Sequence, residues 1–449
     1  MSKQRIQLSD HFTYSRLLRF VLPCIGTMLF TSIYGIVDGL CVSNFVGKTA
    51  FAAVNLIMPL PMLLGTIGFM LGTGGSAIVG ITLGEGDQKK ADRYFTLFLL
   101  AALVSVSVLA VLGIVFLRPI AVLLGAKGEL LDYAVRYGRI LMVSLPTFAL
   151  QNMFQSFFVT AEKPHLGFWF TVGAGCTNMV LDVLMVGIWG WGVEGAAIAT
   201  FISQLVGGVL PVFYFIDRSN SSRLHLCKTS FYSKVLRDAC INGSSELMTN
   251  LSMSLVNILY NYQLLRLAGE NGVAAYGVIM YAAFLFVAVF VGYAVGSAPI
   301  VSFHYGARNH AEVHNLYRKS LRLIAVVAVT LTLASMFIIP CVARIFVGYD
   351  AELLALTSRA FRLYALSFLI MGFNVYASSF FTALGDGVTS ALISFLRTLA
   401  FQVIAILLLP LLLGIDGIWL AVTAAELAAL AVSAAMLLTK DKVFHYRKV

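Results

Sequence analysis

Two apolar stretches of the chain each carry a carboxylate at a place where a lipid-spanning helix normally has none. "YGIVDGL" places Asp38 four residues after Tyr34, and "TNMVLDVLMV" places Asp182 four residues after Asn178. Residues four apart lie on the same face of a helix, so each carboxylate has a polar neighbour beside it. An ionisable side chain at the centre of a membrane span costs about 2.5–3.5 kcal/mol on insertion scales, and such residues are usually functional.

The chemistry open to these side chains is the binding of a proton or of a hard monovalent cation. Two neighbouring carboxyl groups in a low-dielectric cavity cannot both stay ionised cheaply, so one takes up a proton or the pair binds a cation. Thr200 lies at comparable depth in a further apolar segment. Asp38, Asn178, Asp182 and Thr200 are therefore the predicted ion-coupling site, for H⁺ or Na⁺, with Tyr34 as neighbour. The alternative is that each carboxylate only satisfies a buried hydroxyl or amide in a structural network.

The composition indicates that lipid surrounds most of the chain. Of its 449 residues, 59% are hydrophobic and 12% are charged, whereas soluble domains have about 45–50% apolar and about 25% charged residues. The six cysteines show no CxxC spacing, which indicates neither a disulfide framework nor a metal-binding cluster. The formal charge of +10 is better explained by the distribution of Lys and Arg around membrane spans than by a nucleic-acid partner.

Twelve segments are apolar enough and, at about 20 residues or more, long enough to span a bilayer. They predict an all-α integral membrane protein with two six-helix lobes: an N-terminal lobe over 1–216, a cytoplasmic linker over 217–237, and a C-terminal lobe with a short tail over 238–449. The predicted spans are 17–43, 52–83, 94–117, 131–160, 166–189, 193–216, 238–266, 272–304, 319–347, 353–384, 388–413 and 415–438.

The orientation follows from the positive-inside rule. Most of the 31 Lys and Arg residues fall on one side of the predicted spans, together with both termini and the linker. This distribution predicts a multi-pass protein of the plasma (inner) membrane with both termini in the cytoplasm.

The chain is duplicated. A shift of 222 residues places Gly47 on Gly269, Gly74 on Gly296, and "GVEG" (192–195) on "GIDG" (414–417). Two six-helix copies that begin on the same side are parallel repeats, as in transporters whose two halves rock around a central site.

The second half carries a different set of charges within its apolar segments. Glu246, Arg397 and Glu426 are candidates for contacting substrate or relaying charge. Alternatively, Arg397 and Glu426 pair with each other and Glu246 is an interfacial carboxylate. The positions that would duplicate the two aspartates hold Tyr260 and Ile404, so the first-half pocket is not repeated.

A proline lies within the first span, about four turns before the aspartate of that span. Pro23 removes one backbone hydrogen bond and is the predicted position of a helix bend.

These features together resemble the multidrug and toxic compound extrusion (MATE) family, within the wider group of multidrug, oligosaccharide and polysaccharide exporters. "YGIVDGL" resembles the family's helix-1 aspartate motif, with Pro23 at its bend position, and "NMVLD" resembles its Asn-x-x-x-Asp motif. "GVEGAAIAT" and "GIDGIWLA" resemble the glycine-rich turns that open helices 6 and 12. The resemblance covers nearly the whole chain, and it implies that the four ion-coupling residues form a cation or proton site in the N-terminal lobe.

The chain departs from the family pattern at two positions. Val183 stands where a proline often follows the helix-5 aspartate, and Glu246 matches the helix-7 carboxylate of some members only approximately. The second departure puts a separate ion site in the C-terminal lobe in doubt.

The resulting prediction is an antiporter, not an enzyme, that exports small organic and often cationic lipophilic compounds in exchange for H⁺ or Na⁺. It is expected to need no cofactor and to act as a monomer in the lipid bilayer. A lipid-linked oligosaccharide flippase of the same wider group is the alternative, but it would be expected to carry basic residues in its cavity, where only Arg397 is clearly intramembrane. An integral-membrane transferase would need paired Asp motifs for Mg²⁺, and no DxxD occurs.

Overall fold

The computed structural model of the chain describes residues 6–46, 48–348 and 350–447. Over these residues the fold is helical, with turns and short extended connections and no strand. Positions 1 and 449, the outer limits of the predicted lobes, and Gly47 of the repeat lie outside the described residues.

The first half of the chain forms six helical units. Three of them are interrupted, either by a change of helix type or by a break at a single residue, and each of these is treated as one unit below. The units are α1 (Tyr14–Phe45), α2 (Lys48–Ile57 and Pro59–Gly84), α3 (Gln88–Leu123), α4 (Gly128–Thr160), α5 (Pro164–Leu181 followed by the π-helical Asp182–Ile188) and α6 (Gly192–Gly208 and Leu210–Ile216).

The second half also forms six units and then a short tail helix. α7 and α8 together make up the 74-residue run Ser233–Gly306, which turns at Gly269, where φ is 61° and ψ is −149°. α7 therefore begins within the segment 217–237 that was predicted as linker. The other units are α9 (His310–Val347), α10 (Ala351–Ala365 and Phe368–Ala383, bent by 45°), α11 (Gly387–Phe395, the π-helical Leu396–Ala400 and Phe401–Leu413), α12 (Ile415–Thr439) and the tail helix α13 (Asp441–Phe444).

The length and surface of these helices agree with a membrane protein. Among the described residues, nine helical runs are long and apolar enough to cross a bilayer. One of them has 74 residues and turns at Gly269, so we treat it as two spans. The bent α10 and the more polar α4 complete the set of twelve. On α3, Val104, Val108, Val111 and Val115 form one face in which each side chain is more than half exposed. A stripe of this kind fits contact with lipid chains rather than water.

The duplication is visible in matching local structures 222 residues apart. Asp87 and Asn309 cap α3 and α9, and each side chain accepts the backbone N–H three residues ahead, at 3.0 and 3.1 Å. Gly192 and Gly414 both have φ of 59° at the start of the sixth helix of their half. This left-handed backbone is readily adopted only by glycine. The predicted twelve-helix, two-lobe architecture is confirmed.

The two lobes pack together on one side of the membrane, which we call the linker side. It is the side where residues 6–13, 85–87, 161–163, 217–232, 307–309, 384–386 and 440–447 lie. α2 of the first lobe meets α7 and α8 of the second there. An added Cβ on Gly74 would overlap the carbonyl of Ala239, and one on Gly243 would overlap the carbonyl of Met70. Backbone therefore lies directly against backbone across this interface.

We expect Gly243→Ala to destabilise the closed packing of the linker side, because its new methyl group meets the rigid Met70 backbone. Overpacking of this kind costs about 1–3 kcal/mol. The measurement is the temperature at which half of the purified protein remains monodisperse on size-exclusion chromatography. Gly277→Ala is the matched control, because it makes the same change in the same helical run and meets no atom within 4 Å. Equal temperatures for the two variants would contradict the close-packed interface.

Candidate functional site

The fifth helix changes its hydrogen-bonding pattern where the predicted site begins. Regular α-helix ends at Leu181, and the π-helical turn Asp182–Ile188 follows. The fifth helix of the second half has a π-helical segment of its own, Leu396–Ala400. Segments of this type inside α-helices frequently mark functional sites. The sequence carried no signal that predicted either of them.

A glycine brings α1 close to α5 near this turn. A Cβ on Gly175 of α5 would lie 2.5 Å from Cε1 of Phe30 and 3.0 Å from Cδ1 of Tyr34, both on α1. The absence of that atom lets the two rings pack directly on the α5 backbone. Asp38, one turn beyond Tyr34 on α1, thereby reaches Asp182.

The two aspartates form a buried pair. Their carboxyl groups lie within hydrogen-bonding range of each other, and Asp182 is completely buried while Asp38 is half-buried. Among the described residues, no other group donates a hydrogen bond to Asp38 Oδ1 or to either oxygen of Asp182. A buried polar atom left unsatisfied costs about 1–3 kcal/mol, and a charged one costs more. Binding a proton or a cation between these oxygens would relieve that cost.

The other predicted members of the site lie around the pair at different distances. The Tyr34 phenol interacts electrostatically with Asp38. Asn178 is buried one turn before Asp182, and its amide nitrogen has no hydrogen-bond partner among the described residues. Thr200 is half-buried on α6, which packs against both α5 and α1. Within the described part of the chain, its hydroxyl makes no hydrogen bond to either carboxyl group.

Two residues that the sequence did not single out also face the aspartate pair. Tyr137 of α4 is 1% exposed, and its phenol interacts with both carboxyl groups. Cys41, nearly one turn beyond Asp38 on α1, interacts with both as well. Tyr137 is one of 18 tyrosines in the chain, and only the packing of α4 against its neighbours distinguishes it from the others.

Pro23 lies in α1 without interrupting it. The helix is continuous from Tyr14 to Phe45, and Thr27 Oγ1 donates to the Pro23 carbonyl at 2.9 Å. Pro23 therefore remains a predicted place for bending within an unbroken helix.

The charged residues of the second lobe come together in a second buried cluster. Arg397 of the π-helical segment pairs with Glu426 of α12, with 3.2 Å between Nη1 and Oε1, and their side chains are 12% and 1% exposed. Asn374 of α10 donates to the other carboxylate oxygen of Glu426 at 2.7 Å, and Ser433 donates to Asn374 at 2.9 Å. Glu246 of α7, which is half-buried, lies within electrostatic range of Arg397. The Arg397 guanidinium thus interacts with two carboxylates, those of Glu426 and Glu246.

We expect Arg397→Gln to destabilise the fold strongly, because Glu426 would remain buried with an uncompensated charge. Breaking such a pair costs about 3–5 kcal/mol. The double variant Arg397→Gln/Glu426→Gln should recover most of that loss, because neither charge of the buried ion pair remains and the carboxylate that is left, Glu246, is only half-buried. Thermal unfolding of the purified variants measures both effects. Arg237→Gln is the control, because its ion pair with Asp238 is largely exposed and contributes little. Equal destabilisation of the single and double variants would contradict the pairing argument.

The fold and the buried carboxylates together define a class of protein. Two repeated six-helix lobes with ionisable groups inside the membrane are the architecture of a secondary transporter. The family model described as MatE matches the chain twice, over residues 23–184 and 247–408, once in each lobe. The chain therefore belongs to the MatE family, and it is a membrane transporter rather than an enzyme.

Full-length relatives agree with this assignment. The multidrug export protein MepA of Staphylococcus saprophyticus is 21% identical over 436 residues, which cover 96% of this chain and 95% of MepA. A crystal structure of MATE in complex with MaL6 has a TM-score of 0.92 at 22% identity, covering 99% of this chain and 100% of that one. An outward-facing conformation of a multidrug resistance MATE family transporter also has a TM-score of 0.92, at 22% identity with 99% of both chains covered. The resemblance inferred from the sequence motifs is confirmed.

Proposed function

We propose that this transporter is an antiporter that exports small organic compounds, often cationic and lipophilic, in exchange for inward H⁺ or Na⁺. Family membership and the name of the MepA relative, a multidrug export protein, support the export of drug-like compounds. The observation that carries the coupling is the buried pair of Asp38 and Asp182, because Asp38 Oδ1 and both oxygens of Asp182 have no other hydrogen-bond partner among the described residues.

The aspartate pair couples transport to an ion because its electrostatic energy depends on whether a proton or Na⁺ is bound to it. With both groups ionised, two like charges are held within hydrogen-bonding range in a low-dielectric site, and one proton or one Na⁺ removes most of that repulsion. Asn178 and Thr200 would complete the shell as neighbouring polar groups on α5 and α6. Exchange requires that the ion and the organic substrate stabilise opposite-facing conformations, because a ligand with equal affinity for both shifts neither.

The available energy is sufficient for useful export. One monovalent cation moving inward yields about 2.3 kcal/mol per 100 mV of membrane potential. That supports a gradient of roughly tens-fold in a neutral substrate at such a potential.

The cluster in the second lobe is the proposed contact for substrate charge. Arg397 and Glu426 neutralise each other within their ion pair, so Glu246 supplies the net negative charge of the cluster. A carboxylate in this position attracts an organic cation, whereas the pyrophosphate of a lipid-linked oligosaccharide would need free basic groups. The engagement of Arg397 with Glu426 favours the antiporter over the flippase.

The proposed setting follows from the distribution of Lys and Arg. The linker side is taken as cytoplasmic, which puts both termini in the cytoplasm of a cell whose inner membrane holds the transporter as a monomer. With the lobes packed on that side, this proposed orientation would make the structure the state closed toward the cytoplasm.

The deciding experiment is efflux of a fluorescent lipophilic cation from proteoliposomes under an imposed H⁺ or Na⁺ gradient. We expect wild-type protein to respond to one of the two gradients and Asp38→Asn to lose at least about tenfold in gradient-driven rate, because one charge of the pair is gone. Asp132→Asn is the matched control, since it changes an exposed aspartate on α4.

Each alternative outcome has a defined meaning. Undiminished transport by Asp38→Asn would remove this residue from the coupling site while leaving the exporter in place. No transport of organic cations under either gradient, by protein that is folded and monodisperse, would favour the lipid-linked oligosaccharide flippase.

A further inference from the structure

A short segment ahead of α1 has a structural role that the proposed transport site does not explain. We call residues 6–13 the N-terminal strap. It turns at residues 8–10, where the Asp10 N–H donates to the Gln7 carbonyl, and it crosses the linker side with the side chains of Leu8 and Phe12 completely buried. Segments at a chain end are usually poorly held unless specific contacts fix them. The contacts of this strap reach both lobes.

The strap is fixed to the second lobe by a buried carboxylate. Glu312, in the first turn of α9, accepts the Phe12 N–H through Oε1 at 2.8 Å and contacts His11 Nδ1 through Oε2 at 2.6 Å. Asn315 and Lys319 donate to the Phe12 carbonyl at 3.1 and 2.6 Å. Hydrogen bonds to charged groups are among the stronger ones in proteins. This end of the strap is held by four polar contacts to one helix.

The strap is fixed to the first lobe by another buried carboxylate. Glu162, in the α4–α5 turn, accepts the Leu8 N–H at 2.9 Å and the Arg223 guanidinium at 2.5 Å. Arg223 belongs to the linker, and its guanidinium also lies 4.9 Å from the ring centre of Phe303 on α8. Glu162 holds a φ of 60°, which is uncommon outside glycine. Within five residues of chain, the strap is therefore bonded to both lobes.

α1, the helix that follows the strap, packs on the second lobe near its start and on the first lobe farther along, and the change falls close to its proline. Near its start, α1 lies on α8 of the second lobe, where a Cβ on Gly292 would collide with the backbone of Cys24 and Ile25. From Gly26 onward it lies on α5 of the first lobe, with Phe168 at 3.0 Å from the position of a Cβ. The base of α1 is thus held by the second lobe, and its farther part, which carries the coupling aspartate, by the first.

We propose that the N-terminal strap is a latch that keeps the linker side closed, and that this side opens only when the strap leaves Glu162 or Glu312. The two anchors lie on different lobes, so the lobes cannot separate at this end while both hold. The proposal rests on the alternating-access cycle of the proposed function, but it concerns the conformational equilibrium and not the identity of substrate or ion.

A native cysteine reports the opening. Cys24 is 4% exposed, and its Sγ lies 3.2 Å from the position of a Cβ on Gly296 of α8. Separation of the lobes on the linker side uncovers this thiol. The alkylation rate of a protected cysteine then follows the population of the open state when opening is fast compared with the reaction.

The experiment compares alkylation of Cys24 by N-ethylmaleimide, followed by peptide mass spectrometry, in a background where the exposed Cys176 and Cys341 are replaced by Ser. We expect Cys24 to react about tenfold faster in the Glu312→Ala variant than in the same background with Glu312 intact. This corresponds to a tenfold larger open population. Glu312→Gln should be intermediate, because its amide oxygen still accepts the Phe12 N–H. Asp238→Asn, an exposed linker-side carboxylate paired with its own neighbour Arg237, should not change the rate.

Misfolding is separated from unlatching by two further readings. General unfolding would accelerate the buried Cys41, which lies beside the aspartate pair inside the first lobe, as much as Cys24, so the ratio of the Cys24 rate to the Cys41 rate is the quantity compared. Phe12→Ala removes the buried ring while leaving α9 intact, and it should also raise the ratio. A ratio equal to wild type in monodisperse Glu312→Ala and Phe12→Ala protein would overturn the latch. Because no substrate or gradient is used, failure of the antiporter proposal would leave this result readable.

Discussion

The constraint on which the structure depends is that a charge inside the bilayer must have a partner. The two lobes meet it differently. In the second lobe, Arg397 neutralises Glu426 within a network completed by hydrogen bonds, so that charge is permanently compensated. In the first lobe, Asp38 and Asp182 face each other without a cation among the described residues, so compensation has to come from outside. The same physical cost therefore produces a structural ion pair in one lobe and, in the other, a pair of carboxyl groups that we propose responds to an ion.

The repeat shows how the two lobes diverged around this constraint. Glu426 and Asn374 stand where the first lobe has Gln204 and Asn152. The first-lobe positions are buried but neutral, and the position matching Arg397 is Gly175, which instead lets α1 pack closely on α5. The matching positions Arg397 and Gly175 thus hold a guanidinium in the second lobe and a close helix contact in the first. The arginine of one lobe and the close helix packing of the other therefore occupy the same position of the repeat.

Coupling between ion and substrate needs a mechanical element shared by the lobes, and α1 has the required contacts. It carries Asp38 in its farther part, packs on α5 there, and packs on α8 near its start. Pro23 lies close to the change from one lobe to the other. A proline weakens the backbone ladder at that point, so the helix can respond to movement of one lobe relative to the other. Glycine contacts between α2 and the pair α7–α8 set the closed position from which that movement starts.

The predictions from sequence succeeded where the determining physics is local or repeats along the chain. Apolar length defined the spans, so all twelve helices lie where they were expected, and glycines with positive φ recur at the matched turns Gly192 and Gly414. The start of α7 at Ser233 was missed because the polar residues 233–237 read as linker, although they form the first turns of a helix. Helix type was missed as well, because a π-helical turn depends on the packing around it rather than on residue type.

By itself, the sequence determined that the chain crosses a membrane, that it is duplicated, and that Asp38 and Asp182 lie at depths where a carboxylate is expensive. These properties follow from hydrophobicity and from spacing within single helices. Only the tertiary structure decided that the two aspartates meet, that Tyr137 faces them, that Glu246 approaches Arg397, and that the N-terminal strap bonds to both lobes. Each of those contacts joins residues from different helices or segments, and their spacing in sequence carries no information about which helix faces pack together.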